Sequence, residues 1–199
     1  SSTFFIRLLK VEFNFSLQHF HMIPITWLLY FPCAIISPQK GGRIMERKAF
    51  TVLSLREQPQ LLKVAAQWFH SKWQIPCQAY EDSMQECSTG TAFIPQWYVI
   101  LDSSGTIIAG AGLIANDFHE RKELTPNVCA LYVENAWRGN GYARTLLDHI
   151  RREAGSEGLS RLYLITDHTV FYEVCGWEYL SLIREDSGDS IRMYTAKTL

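Results

Sequence analysis

The order of patterns along the chain predicts an α+β fold, with a mixed, mostly antiparallel sheet flanked by helices. Three observations carry that expectation. A short strand and two helices come first, followed by two strands joined through the turn sequence Asp102-Ser103-Ser104-Gly105. A strand–helix–strand unit comes next, the arrangement that connects parallel strands. The chain then closes on a hairpin around Asp186-Ser187-Gly188-Asp189.

Residues 50–54 alternate as a first strand. Leu61, Leu62, Ala65, Ala66, Phe69 and Trp73 recur at helical spacing, and Pro76 ends that helix. A second helix covers 78–87 and stops at Ser88-Thr89-Gly90. Residues 97–101 and 106–114 are the hairpin strands, and 116–126 is a charged, solvated loop. Residues 127–133 are almost continuously apolar, as a strand buried on both faces is. Over 141–156, Ala143, Leu146, Leu147, Ile150 and Ala154 form an apolar stripe, with Arg144, Asp148, Arg151 and Arg152 on the other face. A strand over 161–166, a short helix over 170–174 and strands over 177–184 and 191–197 complete the order.

The loop Val133-Glu134-Asn135-Ala136-Trp137-Arg138-Gly139-Asn140-Gly141-Tyr142-Ala143 carries the chemistry. Gly139 and Gly141 have no Cβ, so backbone N–H groups can approach a ligand closely, and the helix start adds the positive end of its dipole. Such a loop suits a phosphate or pyrophosphate. A Walker loop would end in Gly-Lys-Ser/Thr, which this loop lacks. A dinucleotide fingerprint needs a third glycine where Arg144 stands, although Asp167 imitates its ribose-binding acid. That fingerprint also opens its domain, whereas this loop lies late, behind antiparallel strands.

The pattern Arg138, two residues, Gly141, one residue, Ala143 resembles the coenzyme A pyrophosphate signature of the GNAT acetyltransferase superfamily, Arg/Gln-x-x-Gly-x-Gly/Ala. Downstream, Phe171-Tyr172-Glu173-Val174-Cys175-Gly176-Trp177 resembles that family's Phe-Tyr-Glu-x-x-Gly-Phe/Trp segment. The resemblance covers residues 50–197 and is sharpest over 131–177. It implies a coenzyme-binding βαβ unit whose parallel strands splay apart, with the pantetheine arm of acetyl-CoA in the gap against Leu131, Tyr132 and Val133. By the same resemblance Arg138, Gly139, Asn140, Gly141, Tyr142, Ala143 and Arg144 hold the phosphates. The Val133 N–H becomes the oxyanion donor and Tyr172 the acid that protonates the departing thiolate.

Each role has a plainer counterpart. The strand could be a fully paired core strand, and Tyr172 a core aromatic beside Phe171 and Trp177. The general base stays open: Glu134 follows the coenzyme strand and could act through water, or be a solvated strand-end carboxylate. Asp167-His168 also end a strand near the cleft, with Asp167 alternatively capping the next helix; His119-Glu120 is weaker. Acceptor selectivity falls to the first two helices, the 116–126 loop and the closing hairpin. There Trp68, Trp73, Tyr80 and Trp97 either line a pocket or fill the core.

The expected activity is acetyl transfer from acetyl-CoA to a primary amine by direct attack in a ternary complex. Leu124-Thr125-Pro126 resembles small-molecule acetyltransferases and favours a small acceptor. The alternatives are a protein N-acetyltransferase and a non-catalytic acyl-CoA-binding or partner-binding module. With 199 residues, 47% hydrophobic and 20% charged, the chain is ordinary globular material, and its net charge of −1 points to neither nucleic acid nor membrane. A homodimer is compatible with the resemblance. The five cysteines form no paired motif, which suits reduced thiols in a bacterial cytoplasm, and no histidine spacing indicates a metal.

Residues 1–44 differ from the rest, with Pro24, Pro32 and Pro38 among apolar residues and an apolar run, 22–36, too short to span a bilayer comfortably. Lys40-Gly41-Gly42 just ahead of Met45 can be encoded by a bacterial ribosome-binding sequence. This predicts translation from Met45, an acetyltransferase domain over 45–199, and upstream DNA read as protein before it. A genuine amphipathic extension or membrane-associated hairpin is the alternative.

Overall fold

A computed structural model describes residues 50–199. The expectations for residues 1–44 therefore lie outside the described residues. The order is β1 (Val52–Ser54), α1 (Leu62–Trp73), α2 (Cys77–Thr89), β2 (Gln96–Leu101), β3 (Ile107–Ile114), β4 (Asn127–Val133), α3 (Tyr142–Ser156), β5 (Arg161–Thr166), α4 (Val170–Val174), β6 (Glu178–Arg184) and β7 (Ser190–Lys197). The strands form one sheet in the order β1-β2-β3-β4-β5-β7-β6, and β4–β5 is its parallel pairing among the described strands. The mixed, mostly antiparallel sheet flanked by helices is thus as the sequence predicts.

Two apolar layers sandwich this sheet. On one side Leu62, Ala65, Ala66 and Phe69 of α1 and Tyr80, Met84 and Cys87 of α2 bury against Trp97 and Val99. Phe69 stacks on Tyr80 with centroids 5.6 Å apart and meets Trp97 edge-on at 5.0 Å. Burying an aromatic of that size contributes about 3 kcal/mol. Small residues in β3 make the close approach possible: a Cβ on Gly110 would lie 2.7 Å from Phe69 Cζ. On the other side the α3 stripe of Leu146, Leu147, Ile150 and Ala154 packs with Tyr172, Cys175, Trp177 and Tyr194.

The β2–β3 turn is held by Asp102, whose Oδ1 accepts from the Ser104 and Thr106 N–H groups at 2.8 and 3.0 Å. Its carboxyl titrates below the usual range, chiefly because the Ser104 hydroxyl also donates to it.

One expectation about β4 is corrected. Only its first three residues and Val133 are buried; Ala130, Leu131 and Tyr132 are half-buried. Two causes act. The β3–β4 register runs from Gly112↔Cys129 to Gly110↔Tyr132, so Ala130 and Leu131 together oppose Ala111 in a bulge. Ala130 takes φ +52°, a left-handed conformation that costs a non-glycine residue about 1 kcal/mol. Beyond the single registered pair Asn127↔Tyr163, β5 also leaves β4.

Candidate active site

The parting of β4 from β5 creates the site. Next to Val133, the Glu134 N–H donates to Ile108 O at 2.8 Å across to β3. Neighbouring residues of an antiparallel strand point their amides oppositely, so the Val133 N–H turns toward the gap. Its carbonyl accepts from Arg138 Nε at 3.0 Å, and the Arg138 guanidinium lies 5.3 Å from the Tyr132 ring centroid. The bulged Ala130 carbonyl accepts from the indole of Trp73 at 3.2 Å. The bulge thereby keeps a hydrogen-bond partner although the ladder has let it go.

A cavity of about 640 Å³ opens from this gap. Ten of the residues that the sequence singled out line it: Leu131, Tyr132, Val133, Arg138, Gly139, Gly141, Tyr142, Ala143, Arg144 and Tyr172. Trp73, Trp137, His168 and Phe171 complete the lining. Only Trp73 and His168 of these four were candidates in the sequence. Trp137 and Phe171 lie inside the quoted motifs, yet nothing in their spacing separates a cavity wall from core.

The loop presents its backbone. Gly139 and Gly141 hold φ +78° and +84°, with open space where a side chain would start. The first bond into α3 runs from Thr145 N–H to Gly141 O at 2.9 Å, and the helix has no side-chain N-cap. The amides of Tyr142, Ala143 and Arg144 therefore have no acceptor within the helix, and together with the dipole they form an anion cradle. Asn140 does not line the cavity; its side chain donates to Trp137 O and Arg138 O, both at 3.1 Å, and fastens the turn. The Tyr142 ring sits in the core, 4.5 Å from Phe50 and 5.9 Å from Trp137, leaving its backbone to the loop.

Tyr172 packs in the core and also reaches the cavity. The residue is 8% exposed, packs near Phe171, Trp177 and Tyr194, and lines the cavity. Burial pushes its phenol up to about 12, with Cys175 adding to the rise and a hydrogen bond with Thr166 opposing it. A phenol so placed keeps its proton through the neutral range.

The other candidates have different surroundings. The Glu134 carboxylate pairs with Lys72 and accepts from Trp68 Nε1 at 2.8 Å, and Glu134 does not line the cavity. These contacts brace β4 to α1. Asp167 is exposed and makes no cap; no side chain caps α4. His119, expected on a solvated loop, is 0% exposed and bonds Asn127 Oδ1 through Nε2 at 2.9 Å. Tyr80 and Trp97 are core, Trp68 is half-buried against Tyr132, and Trp73 alone of the four aromatics reaches the cavity. Among the described residues no group of three or more His, Cys, Asp or Glu side chains could hold a metal, and no helix is long and apolar enough to cross a membrane.

Known proteins share this architecture. An aminoglycoside 6'-N-acetyltransferase complexed with coenzyme A aligns at TM-score 0.57 and 14% identity, over 75% of this chain and 97% of that one. A GNAT-family protein of Desulfovibrio desulfuricans aligns at 0.55 and 15%, over 76% and 100%. A variant of the spermidine N-acetyltransferase of Vibrio cholerae aligns at 0.54 and 16%, over 74% and 95%. At such identities the likeness is one of fold. The family described as Acetyltransferase (GNAT) matches residues 59–177, more than half of the sequence. The chain belongs to the GNAT acetyltransferase family.

Proposed function

We propose that the protein transfers the acetyl group of acetyl-CoA to a primary amine of a small-molecule acceptor, by direct attack in a ternary complex. One observation carries this reading: β4 and β5 part after a single registered pair, beside a loop whose amides face an open cavity. The amides of Gly139, Asn140, Gly141, Tyr142, Ala143 and Arg144 would take the pyrophosphate, with the Arg138 and Arg144 charges in support. The backbone of Leu131 and Tyr132 would pair with the pantetheine arm. The Val133 N–H would donate to the carbonyl oxygen as negative charge develops, a contribution of about 10²-fold in such sites. Tyr172 would protonate the departing thiolate. Glu134 is left out of the chemistry because Lys72 and Trp68 engage it. Two of the similar folds belong to enzymes named for amine acceptors, spermidine and an aminoglycoside, which supports an amine here.

The test has two arms. Calorimetry should show acetyl-CoA binding to the protein alone, and a panel of amines assayed for thiol release should contain at least one acceptor. Absence of acetyl-CoA binding would remove the enzyme reading altogether. Binding without thiol release from any amine would favour a non-catalytic acyl-CoA-binding module.

A further inference from the structure

The cavity reaches both faces of the sheet, and the two faces line it differently. Val133 packs with the α3–α4 layer, on the face where the phosphate loop opens into α3. Tyr132 points the other way. It pairs with Gly110, where a Cβ would meet Phe69 Cζ at 2.7 Å and Trp68 Cζ3 at 3.0 Å on α1. The Tyr132 ring accordingly meets Trp68 edge-on at 5.8 Å and Trp73 at 6.3 Å. Trp73 and Tyr132 thus wall the cavity on the α1 face, across the sheet from the Val133 side.

The chemistry of that wall favours a ring over a cation. The Trp73 indole donates through its N–H edge to Ala130 O at 3.2 Å, yet the residue stays 44% exposed and lines the cavity. An indole held by one edge leaves a face for a flat partner. Tyr132 has less to offer a cation, because two of the protein's own already lie against its ring. Lys72 Nζ stands 5.2 Å from the centroid and the Arg138 guanidinium 5.3 Å. The neighbouring Glu134 carboxylate is engaged by Lys72 and by Trp68 Nε1. Among the described residues the lining holds two arginines and a histidine but no carboxylate. A polycation entering here would meet like charge without a counter-ion, whereas an aromatic skeleton would meet a ring.

We infer that the acceptor carries its single amine on an aromatic skeleton, as an arylalkylamine does, and that Trp73 is the residue that selects it by stacking. This rests on the acetyltransferase reading and narrows its acceptor. The ring lies on the Trp73 face, and the amine on its short chain reaches through the gap toward the Val133 N–H. The reaction balances. The ammonium gives one proton to water on entering, and the neutral nitrogen bonds the thioester carbonyl carbon. The C–S bond then breaks, and the second proton passes from nitrogen to the thiol. The products are an N-acetyl amide, free coenzyme A and one proton.

The test compares four amines on the full chain at saturating acetyl-CoA: 2-phenylethylamine, 2-cyclohexylethylamine, spermidine and kanamycin. The first two share chain length and bulk and differ in the flat ring. In the parent, kcat/KM for 2-phenylethylamine should exceed that for 2-cyclohexylethylamine about 5-fold, and that for either polycation about 100-fold. Trp73→Phe keeps a ring and should keep the preference. Trp73→Gln keeps a donor for Ala130 O but no ring. It should bring the ratio of the first two amines to about 1, with acetyl-CoA affinity by calorimetry unchanged. Equal use of the two amines by the parent, faster use of a polycation, or the parent ratio in Trp73→Gln would overturn the inference. Should Trp73→Gln not fold, the parent ratio in Trp73→Leu would overturn it equally. Turnover of other amines without turnover of 2-phenylethylamine would overturn it and leave the acetyltransferase reading standing. Thiol release from no amine at all would remove both.

Discussion

The two ends of β4 live under different rules. At its start, Asn127 is 0% exposed and fully bonded: Nδ2 donates to Leu124 O at 2.8 Å and Ala115 O at 3.2 Å, and Oδ1 accepts from His119. There β4 is registered with both β3 and β5. Six residues on, the strand has bulged, β5 has gone, and Val133 turns its N–H to a gap. Side chains hold the closed end, whereas backbone geometry shapes the open one. Substitutions at the closed end should therefore cost stability, and those at the open end function.

The largest expected effect falls at the closed end. Asn127→Ala removes three hydrogen bonds, stranding the buried His119 Nε2–H and losing the partly buried bonds to the Leu124 and Ala115 carbonyls. That should cost about 3–5 kcal/mol, seen as a fall in the urea midpoint with unchanged slope. The Asn127 bonds also fix the His119 tautomer. Because Nδ2 is committed to carbonyls, Oδ1 must accept, so Nε2 carries the hydrogen and Nδ1 faces the Asn116 amide at 3.2 Å. A loss below about 1 kcal/mol would mean the loop tolerates opening, and the contrast between the ends would weaken.

What was legible in the sequence divides along the same line. The open end depends on residues adjacent in the chain: glycines 139 and 141, the helix stripe after them and the 171–177 segment, so spacing alone exposed it. Helical periods, turn residues and β-branched runs likewise placed every described strand and α-helix within about two residues, while the short 3-10 turns at Pro59–Leu61 and Asn135–Trp137 left no such pattern. The closed end depends on contacts between distant segments. His119 looked like solvated loop because its partner Asn127 was read as plain strand. His119 and Glu185 stand 66 positions apart and meet only through backbone pairing of two loops. Glu134 looked free because nothing local foretells Lys72 across the sheet. Trp73 shared the period of the α1 stripe, yet it is 44% exposed and serves the bulge.

At the open end, Gly141→Val should weaken acetyl-CoA binding about 100-fold, measured by calorimetry, while the melting temperature falls by only a few degrees. The open space at its Cβ leaves no clash within the protein itself. The effect comes from φ +84°, which a β-branched residue resists, so the loop would relax and turn its amides away. Equal affinity in the folded variant would strip the loop of its assigned role.

Tyr172→Phe should lower kcat by about 10²-fold with acetyl-CoA affinity unchanged, since it removes a proton donor and hardly any packing area. Stability should fall by under about 1 kcal/mol, the share of one hydrogen bond with Thr166. A variant that keeps its turnover when chemistry limits the rate would make Tyr172 a core aromatic, and this position would then belong with the closed end.

The smallest effect distinguishes two residues of one loop. His119 serves the closed end, while Asp117, two positions earlier, is held where a charge is unwelcome. Its carboxyl titrates near 7 in the folded protein against 3.8 ordinarily, chiefly through desolvation. Between those values the folded chain retains a proton that the unfolded chain has released. Its contribution to stability is therefore fully present below about 3.8 and is lost as pH rises through about 7. Asn at this position cannot ionise and escapes the loss. The melting temperature of Asp117→Asn should match the parent near pH 3.8, pull ahead as pH rises, and stop gaining above about pH 7. Solvent reaches the half-buried side chain, so the lead should be modest, about 2–5 °C at its plateau. All other titrating groups are common to both proteins and cancel in the difference. A lead that does not change with pH would show an ordinary carboxylate at Asp117. The loop would then belong wholly to the closed end.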